Sequence, residues 1–126
     1  MEKLILIADD DPDVRLHIAE ILDAAGFDFD TATDGNETLL MLELTEPDLL
    51  LVDLAMPRKD GWQLIREVRA NPHLRDLPIV TLSESFELRN ATIYGVQGNI
   101  SKPISPLVML DTLDEVLGQA VGPADW

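Results

Sequence analysis

The 126-residue sequence has no cysteine, so disulfide bonds, thiolate nucleophiles and cysteine-ligated metal centres are excluded. Basic residues are scarce as well: 9 lysines and arginines stand against 24 aspartates and glutamates, for a net charge of −15. An acidic excess of this size repels phosphate backbones and anionic membranes, so we expect no direct nucleic acid or membrane partner. No apolar run is long enough for a signal peptide or a membrane span, which predicts a soluble cytoplasmic chain.

Short aliphatic runs alternate with segments of helical spacing along the whole chain. Strands are predicted at 3–8, 27–32, 49–52, 78–82 and 97–101, and each is followed by a predicted helix. The fourth helix, at 86–94, contains poor helix formers and is expected to be shortened or irregular. This order predicts an α/β fold, a flavodoxin-like (βα)5 doubly wound, five-stranded parallel sheet with helices on both faces. We expect one domain over 1–120, with 121–126 as a tail or the start of a linker.

The residues that end or follow the predicted strands carry the chemistry. Asp9 and Asp10 follow the first strand, Asp53 the third, Ser83 the fourth and Lys102 the fifth. The carboxyl ends of parallel strands share one edge of a sheet, so these groups should meet there. Clustered carboxylates repel one another, and a hard divalent cation such as Mg²⁺ relieves that conflict. Asp53 can then act as a nucleophile toward phosphorus, with Lys102 and Ser83 holding phosphoryl oxygens.

A purely structural reading competes with this one at several positions. An aspartate after a strand is often only a helix cap, which is the role we expect for Asp11 and an alternative for Asp9 and Asp10 taken singly. The two histidines, His17 and His73, are expected to be surface residues. The functional reading is favoured because several predicted strand ends supply complementary groups at once.

Four segments resemble the receiver domain of two-component response regulators, in the manner of chemotaxis regulators. They are Leu6-Ile7-Ala8-Asp9-Asp10-Asp11-Pro12, Asp53-Leu54-Ala55-Met56-Pro57-Arg58-Lys59-Asp60-Gly61, Pro78-Ile79-Val80-Thr81-Leu82-Ser83 and Ser101-Lys102-Pro103.

The resemblance implies a role for each site residue. Asp53 would be the phospho-acceptor, and Ser83 and Lys102 would contact the phosphoryl group. Asp10 would bind Mg²⁺ directly, Asp9 through water, and Asp53 would also be a metal ligand. The carbonyl oxygen of Ala55 would be a further ligand, and Mn²⁺ would be a substitute for Mg²⁺.

The resemblance also implies partners. The donor would be a phosphohistidine on a histidine kinase or phosphotransfer domain, with small phosphodonors as substitutes. A downstream protein would recognise the phosphorylated state. The chain would be a monomer or weak homodimer, and it would be no enzyme beyond self-dephosphorylation.

Three departures from the family pattern leave another function open. Asn99 stands three residues before Lys102, where receivers usually have an aromatic switch residue, and Glu84 replaces a small residue after Ser83. The interval from Ser83 to Lys102 is about one helical turn shorter than usual. These features favour the alternative of a pseudo-receiver that binds a partner without phosphorylation. A Mg²⁺-dependent phosphatase is disfavoured because Ala55 stands where a second carboxylate is needed.

Overall fold

A computed structural model of the chain describes residues 2–84 and 94–121. The fourth predicted helix, with its expected shortening, lies outside the described residues except for Tyr94. In chain order the elements are β1 Leu4–Ala8, α1 Pro12–Ala24, β2 Asp28–Ala32, α2 Gly35–Thr45, β3 Leu49–Asp53, α3 Gly61–Ala70, β4 Ile79–Ser83, β5 Gly98–Ser101 and α4 Pro106–Val121.

Aspartate caps begin three of the helices. The side chains of Asp11, Asp34 and Asp60 accept hydrogen bonds from backbone N–H groups in the first turns of α1, α2 and α3. The helix-cap role predicted for Asp11 is confirmed. The sequence pattern predicts that the last helix ends at about Leu117, whereas α4 continues to Val121. Gly118 lowers helix propensity without stopping the helix.

All five strands are parallel and lie in the order β2-β1-β3-β4-β5. The predicted doubly wound α/β fold is therefore confirmed for the described residues. The strand order reverses between β1 and β3, so the carboxyl ends of these two strands flank the crevice where such sheets bind ligands. Asp53 ends β3, and Asp9 follows β1 directly.

The core forms two layers, one on each face of the sheet. Alternate residues of β1 separate onto the two faces, with Ile5 and Ile7 in one cluster and Leu6 and Ala8 in the other. Helices α1 and α4 cover the first cluster, and α2 and α3 cover the second. Burial on both faces explains the nearly continuous aliphatic strands. Among residues 2–84 and 94–121, no helix has the length and apolar character that a bilayer span requires.

Candidate functional site

Three carboxylates meet at the carboxyl edge of the sheet. Asp9, Asp10 and Asp53 each present an oxygen within 4.8 Å of the others. Asp9 is fully buried and Asp53 is 4% exposed, whereas Asp10 is exposed. Two buried acids and one at the surface thus face a common point. This is the convergence that the strand ends predicted.

Asp9 is held by contacts to both of its carboxylate oxygens. Its Oδ1 accepts the backbone N–H of Asp11 at 2.9 Å, and its Oδ2 lies 2.9 Å from Nζ of Lys102. A guanidinium N–H of Arg15, on α1, donates to the backbone carbonyl of Asp9 at 2.8 Å. The most buried acid of the cluster is therefore fixed in position by backbone, ammonium and guanidinium donors.

Asp53 lies between opposing influences. Burial raises the pKa of the Asp53 carboxyl, and the charge of Asp9 raises it further. The N–H of Ala55 at 3.2 Å and the ammonium of Lys102 at 3.4 Å, both from Oδ1, lower that pKa and only partly offset the increase. Without a bound cation, these surroundings make ionisation of the Asp53 carboxyl less favourable than it is in water.

Lys102 bridges the two buried acids. Burial alone would lower the pKa of its ammonium, but the hydrogen bonds and charges of Asp9 and Asp53 raise it overall. Its closer partner is Asp9, at 2.9 Å, rather than the expected acceptor Asp53, at 3.4 Å. Lys102 therefore stays charged and neutralises part of the cluster.

A cavity of about 420 Å³ opens beside Asp53. Ala55, Ser83, Glu84 and Lys102 line it with Asp53, so the groups predicted at the ends of the third, fourth and fifth strands border one space. Ser83 is 6% exposed, and the exposed Glu84 adds negative charge to the lining. The site can accept a small anionic group only where the surrounding positive charge outweighs these carboxylates.

The hydroxyl of Ser83 has a partner that the sequence did not reveal. It donates to Oδ1 of Asn99 at 2.9 Å, and the hydroxyl of Thr81 donates to the same oxygen at 2.7 Å. Thr81 pairs with Asn99 across β4 and β5. Asn99 departs from the family pattern in the sequence, but its place beside Ser83 depends on a strand register that the sequence alone does not give. The contacts of Thr81 and Arg15 have no signal in the sequence pattern.

The ligand atoms of the acidic cluster suit magnesium. They are hard carboxylate oxygens, few in number and partly open to solvent, which is the arrangement that Mg²⁺ prefers because it retains several waters. Thiolate and imidazole ligands are excluded from the cluster, since the sequence has no cysteine and both histidines, His17 and His73, are exposed residues outside it. The surface position predicted for these histidines is confirmed.

Comparison with known proteins assigns the chain to a family. The profile of the response regulator receiver domain matches residues 5–114. The chain belongs to this family. Chemotaxis protein CheY4 of Vibrio cholerae superposes with a TM-score of 0.87 at 27% identity, covering 92% of this chain and 99% of CheY4. The resemblance drawn from the four sequence segments is thereby confirmed.

Two further relatives show the contexts in which receiver domains of this kind occur. The receiver domain of a sensor histidine kinase from Pseudomonas aeruginosa, with magnesium coordinated in its active-site cleft, gives a TM-score of 0.84 at 25% identity and covers 94% of this chain and 99% of that one. Sensor protein EvgS of Escherichia coli is 36% identical over 120 residues, which is 94% of this chain and 10% of EvgS. Receiver domains are thus found both as small proteins and within much larger ones.

Proposed function

We propose that this receiver domain accepts a phosphoryl group on Asp53 in a two-component phosphorelay. The observation that carries the proposal is the combination of a buried carboxylate and a neighbouring ammonium at one cavity, with two further carboxylates at the same edge of the sheet. Membership in the receiver family supports the same assignment. Receiver domains are in general signalling modules, and we do not assign an enzymatic turnover to this chain.

The transfer itself needs little covalent chemistry from the protein. A carboxylate oxygen of Asp53 forms a bond to phosphorus, and the phosphorus–nitrogen bond of the donor phosphohistidine breaks, leaving its electron pair on the imidazole. Lys102 offers positive charge to the phosphoryl oxygens, and Ser83 offers a hydroxyl donor. The product is an acyl phosphate on Asp53 and a free donor histidine.

The acidic cluster would hold Mg²⁺ during transfer. We assign Asp10 and Asp53 as direct ligands, Asp9 as a ligand through water and the Ala55 carbonyl as a further oxygen, with Mn²⁺ as a substitute. When bound, the ion neutralises carboxylates and phosphoryl oxygens. Asp9 is suited to the indirect role because backbone and Lys102 donors already engage both of its oxygens.

The output would be a changed contact with a downstream protein. Phosphorylation adds negative charge at Asp53, and the surroundings of Ser83 and Lys102 would rearrange to meet it. A histidine kinase or phosphotransfer domain would be the donor. The cytoplasmic location and the monomeric or weakly dimeric state stay predictions.

Two observations favour the alternative, a pseudo-receiver that binds its partner without phosphorylation. The Ser83 hydroxyl already donates to Asn99, and Glu84 lines the cavity through which a donor would approach. Both features oppose phosphoryl binding. Neither removes the acceptor, the ammonium or the acidic cluster, so phosphorylation remains the better-supported function.

Intact-protein mass after incubation with Mg²⁺ and phosphoramidate, or with a phosphohistidine donor, tests the proposal. The wild type and an Asp28→Asn control, which removes an exposed charge far from the cluster, should each gain one phosphoryl group, and Asp53→Asn should gain none. Failure of every donor with the wild type would refute the proposal in favour of the pseudo-receiver. Hydrolysis of a small phosphate ester that requires Asp53 would favour the phosphatase instead.

A further inference from the structure

The contact between Ser83 and Asn99 joins two neighbouring strands beside the cavity. Thr81 and Ser83 lie two residues apart on β4, so their side chains lie on the same face of the sheet, and Asn99 lies opposite Thr81 on β5. One oxygen, Oδ1 of Asn99, accepts from the Thr81 hydroxyl at 2.7 Å and from the Ser83 hydroxyl at 2.9 Å. Thr81 is fully buried and Ser83 is 6% exposed, so water competes little for these bonds.

A serine hydroxyl has a single proton to donate. The Ser83 hydroxyl therefore cannot donate to Asn99 and to an oxygen of a phosphoryl group on Asp53 at the same time. Ser83 and Asp53 line the same cavity, so the two acceptors compete for this one proton. Donation of a hydrogen bond from Ser83 to a bound phosphoryl group therefore requires the bond to Asn99 to break.

We infer that Asn99 is a positioning residue that restrains the Ser83 hydroxyl in the unphosphorylated chain and weakens phosphoryl binding by competing for its proton. This inference rests on the proposed phosphorylation of Asp53. The role of Asn99 then differs from that of the aromatic switch residue that receivers usually have at this position. It acts through an acceptor atom rather than through the movement of a bulky side chain.

Thr81 lowers the free-energy cost of breaking the hydrogen bond between Ser83 and Asn99. An amide oxygen has two lone pairs, and in this structure each has a hydroxyl donor. When Ser83 turns away, Thr81 still donates to the Asn99 oxygen, so that oxygen is not left buried without a partner. An acceptor stranded without any donor would oppose the release of Ser83 much more strongly.

The inference predicts opposite effects for two substitutions that remove hydrogen bonds from the same cluster. Asn99→Ala removes the competing acceptor, and Thr81 can turn to the Gly98 carbonyl, which already lies 3.4 Å from its hydroxyl. Thr81→Val removes the donor that stays behind, so Asn99 should hold Ser83 more firmly. A merely structural role would instead make both variants shift ligand binding in the same direction.

Calorimetric titration with beryllofluoride, a phosphoryl mimic, in the presence of Mg²⁺ measures the competition. Relative to wild type, Asn99→Ala should bind about 2- to 12-fold more tightly, the range that corresponds to the net worth of one hydrogen bond. Thr81→Val should bind more weakly. In a Ser83→Ala background, Asn99→Ala should change the affinity by less than about 1.5-fold, because no shared proton remains.

An equal or weaker affinity of Asn99→Ala, or the same gain in the Ser83→Ala background, would overturn the inference. A second measurement separates this failure from failure of the proposed function. Urea unfolding is measured without metal for the wild type, Ser83→Ala, Asn99→Ala and the double variant of these two. The four free energies of unfolding give the coupling energy between Ser83 and Asn99 without any ligand. Zero coupling energy refutes the role of Asn99 and leaves the proposed phosphorylation standing. Absence of beryllofluoride binding in the wild type and all variants, with the coupling energy intact, refutes phosphorylation of Asp53.

Discussion

Asp53→Asn should stabilise the metal-free chain and abolish its stabilisation by magnesium. The substitution keeps the shape of the side chain and removes one charge from a cluster in which three acidic oxygens lie within 4.8 Å of one another. In the metal-free chain, ionisation of Asp53 is less favourable than in the unfolded chain, because burial and the charge of Asp9 raise the pKa of its carboxyl. A group whose pKa is higher in the folded than in the unfolded chain opposes folding once the pH exceeds the unfolded value.

The size of the effect follows from the geometry. At an effective dielectric constant of about 20, an acidic neighbour at 4.8 Å repels Asp53 by about 3.5 kcal/mol before screening by water, and Lys102 at 3.4 Å attracts it by about 5 kcal/mol. Water screens the exposed Asp10, which reduces its share, while burial of Asp53 adds a desolvation cost. We therefore expect Asp53→Asn to raise the free energy of unfolding by about 2 kcal/mol without metal.

Magnesium should reverse the order of stability. A ligand that binds only the folded state at a hundred times its dissociation constant stabilises that state by about 2.7 kcal/mol, so saturated wild type should equal or exceed Asp53→Asn. Urea unfolding followed by circular dichroism, with EDTA and then with saturating Mg²⁺, measures both differences. Asp28→Asn lowers the net negative charge equally but lies outside the cluster, so it should retain the full response to Mg²⁺. An Asp53→Asn variant that is less stable than wild type in EDTA, or that gains as much from Mg²⁺, would refute the reasoning.

Three further substitutions test the scaffold, each by the free energy of unfolding in urea. Arg69→Met should lower the free energy of unfolding by about 2–4 kcal/mol, because the guanidinium donates to four backbone carbonyls, including that of Tyr94 at 2.7 Å. An unchanged stability would contradict this. Glu46→Gly should raise the free energy of unfolding by about 1 kcal/mol, because Glu46 ends α2 in the left-handed region at φ 47°, which glycine adopts without strain. A decrease would show that contacts of the Glu46 side chain outweigh the relief of backbone strain. Gly61→Ala should lose about 2 kcal/mol and weaken beryllofluoride binding, because the new Cβ would lie 2.6 Å from the carbonyl oxygen of Asp53; wild-type binding would exclude a role for this close approach.

The fold and the acidic cluster could be predicted because both depend on one-dimensional patterns. Buried parallel strands require continuous aliphatic runs, and aspartate caps mark where helices begin. Once the strands are assigned, the carboxyl ends of β1 and β3 must share an edge, which brings Asp9 and Asp53 together without any knowledge of distances. The end of α4 was mispredicted because a helical glycine costs only about 1 kcal/mol, which packing of the apolar face can offset.

The hydrogen-bond partners could not be predicted in the same way. Lys102 lies closer to Asp9, at 2.9 Å, than to Asp53, at 3.4 Å. No sequence pattern encodes a difference of half an ångström. The contact from Ser83 to Asn99 depends on the register of β4 against β5, which is fixed by the packing of the whole sheet. Arg69 likewise finds its carbonyl partners in loops distant in sequence.

A common principle connects the two donors of the site. In the unphosphorylated chain, Lys102 donates to Asp9 and Ser83 donates to Asn99, so both groups proposed to hold the phosphoryl oxygens already have acceptors of their own. Binding a phosphoryl group is then an exchange of partners, and its net free energy is a difference between hydrogen bonds rather than their sum. Bound magnesium would affect one side of this exchange, because it would neutralise the acids that engage Lys102, and Asn99 affects the other. Among the described hydrogen bonds, Asn99 makes no contact with the carboxylates of the acidic cluster. The effects of metal binding and of a substitution at residue 99 on the free energy of phosphoryl binding should therefore add.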